Sequence, residues 1–597
     1  MTARLNIIRV LITLVFLVLV CKLSYLQIVS NDYKLAAEKL FVKKKIEEPY
    51  RGNISDRNGH LIVGNQPIFD VEIIPRDINL KDSLLIRELF SLNQKEFTSK
   101  YNKAYKYSKF KASPFVKDLS VEDFAHIQDQ LSMVSGLKVK VKSNRLHFGN
   151  NMGSTLGYVA EISSDRLKKD TSKYYRAGDL VGFSGLERQY EHFLRGHRGI
   201  SHKIYNALGQ VQGNFANGKN DLPPTPGMNV QLTIDYTIQS YAEHLMKGKR
   251  GSLVAIEPKS GEILLFLSVP NYDPSLLVGK KFSSNYKTIV NDNDKPLFNR
   301  PIQATYPPGS MFKTIQSLIA LQEGVIAENE KIYSDLSLIG DLAPAGYYDV
   351  KKAITFSSNN YFYKVFKRIV IQNKEENPFL ESRIGLEKWG KYLLRFGLGE
   401  TLGIDLPGER KGMVPSVAKY DRIYGINRWK YSNIASLSIG QGELLVTPLQ
   451  MANLGAILAN RGYYFTPHLV RSIEDETING KHHEVGIDSI HYLSVIEGME
   501  NVVKNGSGFR ASVQGLNICG KTSTVQNPPN PDHSGFMGFA PKENPKIAIA
   551  VYVENAGQGG RSAAGIAGLV IEKYLTGKIS RPWMQEYILR GEFLDER

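Results

Sequence analysis

Residues Val10 to Cys21 form an aliphatic run without a charge, and such a run needs either a protein core or a bilayer around it. Its length gives about 18 Å of helix, short of a hydrocarbon core about 30 Å thick. Extension through Lys22 to Val29 brings the segment to about twenty residues, with the Lys22 amine reaching the headgroups along its own stem. A cleaved signal peptide also starts basic and apolar. Here, however, no small-x-small cleavage site follows, and Val20 before Cys21 is too bulky for a lipoprotein signal. The expectation is an uncleaved anchor over 10–29, after a short cytoplasmic tail, 1–9. Charge does not orient it, because Arg4 and Arg9 precede the span while Lys22, Lys34, Lys39 and Lys43 to Lys45 follow it.

The remainder of the 597 residues is long enough for two or more domains, and 42% apolar with 22% charged residues is the balance of a folded chain. A net charge of +16 raises nucleic acid as a partner. No zinc-finger spacing or RNP-type motif is present, and Lys and Arg are scattered, so the charge is read as surface solvation and attraction to an anionic surface. Cys21 and Cys519 are too far apart in context to imply a disulfide framework. The pair His482-His483 lies in a polar stretch and reads as a solvated loop, not a metal site.

Past the anchor, Leu35 to Lys45 reads as a basic amphipathic linker. Arg51 to Pro75 alternates like strands around the turns Asp56-Arg57-Asn58-Gly59 and Asn65-Gln66-Pro67. Ser120 with Asp123 announces a helix that places Phe124, Ile127, Leu131 and Val134 on one face, and Leu137 to Phe148 reads as a strand. The run Pro223-Pro224-Thr225-Pro226-Gly227 is the best domain boundary. Beyond it come a strand over Val230 to Ile234, an Asp235-capped helix through Met246, and a hairpin of Ser252 to Glu257 with Glu262 to Val269. Gly515 to Val525 and Ile547 to Val553 return to strand character. The fold class is α+β, with a sheet opened by an early hairpin, closed by late strands and covered by the helices between.

In Tyr306-Pro307-Pro308-Gly309-Ser310-Met311-Phe312-Lys313 a loop stops and a buried helix begins. Ser310 falls in its first turn and Lys313 lies one turn on, on the same face. Unpaired amides at a helix start favour negative charge developing near Ser310, and an amine buried among apolar neighbours is pushed toward its neutral, proton-accepting form. Alone, Ser-x-x-Lys is a weak signal. It gains weight from Ser357-Ser358-Asn359, 47 residues on, where a loop after a helix presents a hydroxyl and an amide together, and from Lys521-Thr522-Ser523-Thr524, a further 164 residues on, along an apolar strand. That ordered set is the signature of penicillin-binding proteins and class A β-lactamases.

The chain resembles the class B penicillin-binding proteins, the monofunctional D,D-transpeptidases, over nearly its whole length. Besides the three motifs the likeness rests on Arg51-Gly52-Asn53-Ile54-Ser55-Asp56-Arg57-Asn58-Gly59, Asn299-Arg300, Ser438-Ile439-Gly440-Gln441-Gly442 and Thr447-Pro448-Leu449-Gln450. Gly182-Phe183-Ser184-Gly185-Leu186-Glu187-Arg188-Gln189-Tyr190-Glu191 is similar to the elongation type (penicillin-binding protein 2) more than to the division type, which remains the alternative. The resemblance implies a pedestal domain over 30–228, a serine β-lactamase-like transpeptidase domain over 229–580 and a C-terminal tail, 581–597.

It also implies roles. Ser310 attacks the D-Ala-D-Ala carbonyl of a peptidoglycan stem peptide, and Lys313 takes its proton. Ser357 passes a proton to the departing amine while Asn359 holds the substrate amide. Lys521 and Thr522 receive the terminal carboxylate, and the amides of Ser310 and Thr524 form the oxyanion hole. β-Lactams would stall on the same path as stable acyl-enzymes. A SEDS-type glycan polymerase and elongation-complex proteins are the implied partners, at the outer side of the cytoplasmic membrane; no nucleic acid and no cofactor are implied. Some elongation-type relatives carry a zinc cluster of Asp, His and Cys near the second motif. No Cys or His lies between Tyr306 and Leu380, so no metal is expected. Ser523 departs from the glycine usual at that place; pointing into the cleft it would narrow the site, and pointing away it would change little. A β-lactamase would need neither the N-terminal module nor an anchor, and a non-catalytic scaffold has Ser523 as its one support.

Overall fold

The turn Pro258-Lys259-Ser260-Gly261 works as a hairpin because Gly261 takes φ +80°, a conformation costly for any side chain. In this computed structural model, which describes residues 2–29, 41–206 and 211–594, it joins β1 (Gly251–Ile256) to β2 (Ile263–Val269). The other strands of the sheet come from the far end of the chain: β3 (Cys519–Val525), β4 (His533–Ala540) and β5 (Ile547–Val553). The order is β2-β1-β5-β4-β3, antiparallel throughout. Sequences such as Ile547-Ala-Ile-Ala-Val-Tyr-Val553 are apolar at every position because both faces are covered. Leu253, Ile549 and Val551 pack with α1 (Tyr236–Met246) and α7 (Ala563–Thr576), while Val254, Phe266 and Ala550 pack with α2 (Lys313–Gln322), α5 (Pro448–Asn460) and α6 (His491–Asn505). Two further helices, α3 (Val350–Phe356) and α4 (Asn359–Val370), belong to that second layer.

Helix starts follow their caps. Asp235 accepts from the amides of Thr237 and Ile238, and Thr447 forms a capping box with Gln450. The amide of Gln450 also donates to the carbonyls of Gly397, Glu400 and Lys411, gathering three loop segments on α5. One strand, β4, escapes the sequence reading. Its Gly535 and Gly538 look like breakers, yet a Cβ at Gly538 would come within 2.5 Å of the Cys519 carbonyl. Close approach of β3 demands the glycine.

The chain divides into two compact units, and the division is not a single cut. Gly52–Gly64 and Arg145–Leu194, which the sequence places in the N-terminal module, belong to the unit built by residues from Met228 onward. Polar contacts tie both segments to it: Arg57 faces Glu262 at 3.2 Å, and Tyr190 donates to Asp405 at 2.7 Å. Within the second segment buried Arg145 meets Glu187 at 2.6 Å, and the Glu191 carboxylate accepts from the Gly182 amide. The stretch from 581, a tail by sequence, carries the helix Pro582–Arg590 with Met584 and Ile588 buried.

In the other unit, Ser113–Leu119 pairs with the strand that ends at Ile73, and the Ser120-capped helix is Val121–Ser132, its Phe124 ring stacked on Phe69 at 4.0 Å. The expected linker over Leu35 to Lys45 lies outside the described residues up to 40. From there Val42–Glu47 is a strand paired with Gly199–Tyr205. His482 and His483 likewise form a short strand rather than a loop, paired with Tyr463–Phe465. The N-terminal helix Thr2–Ser24 continues as a π-turn to Val29, and the apolar span Arg4–Ile28 is long enough to cross a membrane.

Candidate active site

Pro307 and Pro308 have no N–H to give a helix or a ladder, so the chain before Ser310 can only turn. Gly309 completes the turn at φ +54°, and Gly309–Phe312 forms a 3-10 turn that runs into α2. Residues i and i+3 eclipse in that geometry, so Ser310 and Lys313 share one line even more closely than in an α-turn. Ser310 is half-buried and Lys313 wholly buried. The Gly309 amide donates to the Gly440 carbonyl at 2.8 Å, and Tyr306 exchanges two backbone bonds with Val446. A Cβ at Gly440 would sit 2.4 Å from the Gly309 carbonyl oxygen, which is why the Ser438–Gly442 motif needs its glycine there.

The second motif is a two-residue junction. Ser357 closes α3 in the left-handed region at φ +60°, Ser358 caps α4 by accepting from the Tyr361 amide, and Asn359 is the first residue of α4. A left-handed serine costs about 1 kcal/mol or more, and here it swings the hydroxyl toward Lys313. The Lys313 amine donates to the Ser357 carbonyl at 2.5 Å and to Asn359 Oδ1 at 2.6 Å, and lies 3.2 Å from Ser357 Oγ. No hydrogen bond to the Ser310 hydroxyl is present among the described residues.

From the other side, Lys521 Nζ reaches the same Ser357 Oγ at 2.9 Å. One hydroxyl therefore sits between two buried lysines. Burial first, and then the neighbouring Lys521 charge, push the Lys313 amine well below its ordinary range, against the pull of Asp341. Burial pushes Lys521 down to about 7. A neutral Lys313 has two N–H groups, and the two carbonyl oxygens take both, leaving its lone pair to accept a proton. Lys521 alone then donates to Ser357 Oγ, and the Ser357 hydroxyl hydrogen is left to donate, either to the Lys313 lone pair or outward.

On β3, directly against the nucleophile's turn, Thr522 Oγ1 shares a 2.6 Å hydrogen bond with Ser507, and Thr524 Oγ1 accepts from the Gly559 amide at 3.3 Å. Ser523 is buried and donates to the Pro308 carbonyl at 2.9 Å. Its side chain does not narrow the cleft. All eight residues singled out in the sequence thus lie at three adjoining places: the turn into α2, the junction of α3 with α4, and β3.

Sequence reasoning passed over the supports. Asp341 Oδ2 accepts from Ser358 Oγ and the Asn360 amide, both at 2.9 Å, and Asn359 donates to the Gly340 carbonyl at 2.6 Å. Burial pushes the Asp341 carboxyl up, but the amides of Asn360, Ala343 and Asn359 and the Ser358 hydroxyl together hold it below its usual range. Asp341 shares no sequence pattern with Ser358, and only the fold pairs them. Ser507, flanked by Gly506 and Gly508, did carry a weak local signal as a tight turn.

The chain matches the family model of the penicillin binding protein transpeptidase domain over residues 251–572. It matches that of the penicillin-binding protein dimerisation domain over 46–232. It is 29% identical to the peptidoglycan D,D-transpeptidase MrdA of Acinetobacter baumannii, across 96% of this chain and 87% of that relative. Among solved structures, PBP2 of Helicobacter pylori in complex with MreC superposes with a TM-score of 0.74 at 26% identity, covering 90% of this chain and 100% of that one. PBP2 of Pseudomonas aeruginosa in complex with WCK 5153 gives 0.65 at 26% identity, with coverages of 91% and 99%.

Proposed function

The chain belongs to the family of the penicillin binding protein transpeptidase domain, and from that membership we propose that it is a peptidoglycan D,D-transpeptidase of the elongation type, acting through a serine acyl-enzyme. The observation that carries the reading is the Ser357 hydroxyl held between the buried amines of Lys313 and Lys521 beside the Ser310 turn. Ser310 Oγ adds to the carbonyl of the penultimate D-Ala as its proton passes to Lys313. The oxyanion lies against the amides of Ser310 and Thr524. The C–N bond to the terminal D-Ala breaks, its nitrogen taking the Ser357 proton, which is replaced from the lysine pair. An amine of a second stem peptide then adds to the ester and releases Ser310. Lys521 and Thr522 hold the donor's carboxylate, Asn359 its amide, and β-lactams enter the same acylation and stay there.

The elongation assignment draws on the MrdA relative and the two PBP2 structures, together with the Gly182–Glu191 segment. The apolar helix at the start supports a single-pass anchor in the inner membrane, with the catalytic unit in the periplasm where stem peptides are found. A SEDS-type polymerase and elongation-complex proteins are the proposed partners, a reading favoured by the Helicobacter pylori relative solved with MreC. Ser523, the one residue that spoke for a non-catalytic scaffold, directs its hydroxyl to Pro308 and not into the cleft, so that alternative loses its support.

The test is the reaction itself in detergent-solubilised full chain, given a donor with a D-Ala-D-Ala stem and an amine acceptor. Crosslinked product with release of one D-Ala, abolished by penicillin and by Ser310→Ala, is the expected result. D-Ala release without crosslink would mark a hydrolase, and neither product would mark a scaffold.

A further inference from the structure

Ser523 belongs to a row. Register across the sheet sets Ser523 opposite Gly535, Gly535 opposite Tyr552, Tyr552 opposite Ser252, and Ser252 opposite Ser268. Residues in such a cross-strand row face the same side. The segment leading to the nucleophile meets that row at successive polar points. Ser268 Oγ donates to the Phe298 carbonyl at 2.9 Å and accepts from the Arg300 amide at 3.1 Å. The Tyr552 hydroxyl donates to the Pro307 carbonyl at 3.4 Å, and Ser523 Oγ donates to the Pro308 carbonyl at 2.9 Å. Because the two prolines lack N–H groups, their carbonyls are the only backbone handles there. Gly535 in mid-row leaves the room, since a Cβ on it would lie 3.2 Å from Met311 Cε and 3.3 Å from Ser523 Cβ.

We propose that Ser523 is a positioning residue that sets the spacing between the backbone amides of Ser310 and Thr524; the proposal rests on the acyl-transfer reading above. The Pro308 carbonyl belongs to the peptide group immediately before the one carrying the Ser310 N–H. Ser523 is the residue whose carbonyl shares a peptide group with the Thr524 N–H. The Ser523–Pro308 hydrogen bond therefore spans the two strands of chain at the point where the two donors diverge. A glycine at 523 would offer the Pro308 carbonyl no donor and would free the backbone as well. The fit is tight, because a Cβ at Gly309 would stand 2.3 Å from Ser523 Oγ. What depends on donor spacing is the step in which the oxyanion forms, since donors must meet the oxygen where charge develops. Capture of the ligand carboxylate by Lys521 and Thr522 precedes that step and does not use the Pro308 contact.

Stopped-flow labelling of the full chain with a fluorescent penicillin separates the noncovalent dissociation constant from the first-order acylation constant. For Ser523→Ala the expected result is an acylation constant lower by about tenfold, the scale of a sub-ångström misplacement of reacting groups, with the dissociation constant unchanged. Tyr552→Phe, which loses the longer bond, slows acylation by about threefold on the same grounds. An unchanged acylation constant in Ser523→Ala, or a loss confined to the dissociation constant, overturns the proposal. If Ser523→Ala does not fold, Tyr552→Phe decides: slower acylation at constant affinity supports the row, and wild-type kinetics overturn it. Absence of labelling on the native chain would overturn both this and the acyl-transfer reading, whereas labelling at equal rates in all variants overturns only this one.

Discussion

Along β3 and the turn before Ser310, glycines hold the site together: Gly309, Gly440, Gly535 and Gly559 each sit where a Cβ would meet a neighbour at about contact or closer. The facing wall, from Ser334 to Asn360, has Asp341 at its centre, with Ser334 touching Ser358 at 3.0 Å and Asn360 Oδ1 accepting from the amides of Leu338 and Ile339. One wall is fixed by close packing on a sheet, the other by polar side chains on a loop. The difference teaches where each is fragile. Close packing fails when a methyl is added, and a polar network fails when one acceptor is removed.

Gly309→Ala is the sharpest way to break the packed wall. It forces an alanine to φ +54° and a methyl to 2.3 Å from Ser523 Oγ. Left-handed strain and overpacking together cost roughly 2–4 kcal/mol, read as a lower denaturation midpoint, with penicillin acylation falling by roughly a hundredfold. On the polar wall, Asp341→Ala strands the Asn360 backbone amide and takes one partner from the buried Ser358 hydroxyl, which keeps Ser334. The expected loss is about 1–3 kcal/mol, with acylation slowed about tenfold. Were Asp341→Ala the more damaging of the two, the contrast between the walls would be reversed.

The lysine pair, which joins the walls, gives a pH signature. Lys521 is lowered to about 7 from 10.5, so its charged fraction falls as pH rises past about 7. Noncovalent capture of a carboxylate ligand by the free protein weakens accordingly, by up to about tenfold per pH unit. For stability the sign is opposite. Between those two values the unfolded chain binds more protons than the folded one, so the Lys521 contribution makes the fold more stable as pH rises through that window. Lys521→Met reduces that slope in urea titrations, leaving the share of Lys313, which is lowered as well. The smallest effect is expected away from both walls. Lys351, half-exposed, pairs with Glu497 at 2.6 Å on the surface of α3, and Lys351→Ala changes stability by about 0.5 kcal/mol or less with no change in acylation.

What the sequence showed and what it hid follow the same division. The hairpin at Gly261, the Asp235 cap and the continuous apolar strand Ile547–Val553 were legible because each is written in neighbouring residues. The eight site residues were legible as an ordered set. Asp341 and Tyr552 were not, because their partners lie in other segments with no shared spacing. β4 was hidden by Gly535 and Gly538, whose reason is the strand next door. The assignment of Gly52–Gly64 and Arg145–Leu194 to the catalytic unit was equally out of reach, since it depends on pairs such as Arg57 with Glu262.

Ser310 is the group expected to be acylated, while Lys313 and Lys521 flank Ser357. Peptide mapping by mass spectrometry, after the native chain has reacted with benzylpenicillin, locates the adduct. A single lasting penicilloyl adduct is expected on the peptide containing Ser310, absent in Ser310→Ala. An adduct on any other residue, or none on the folded chain, would contradict that assignment.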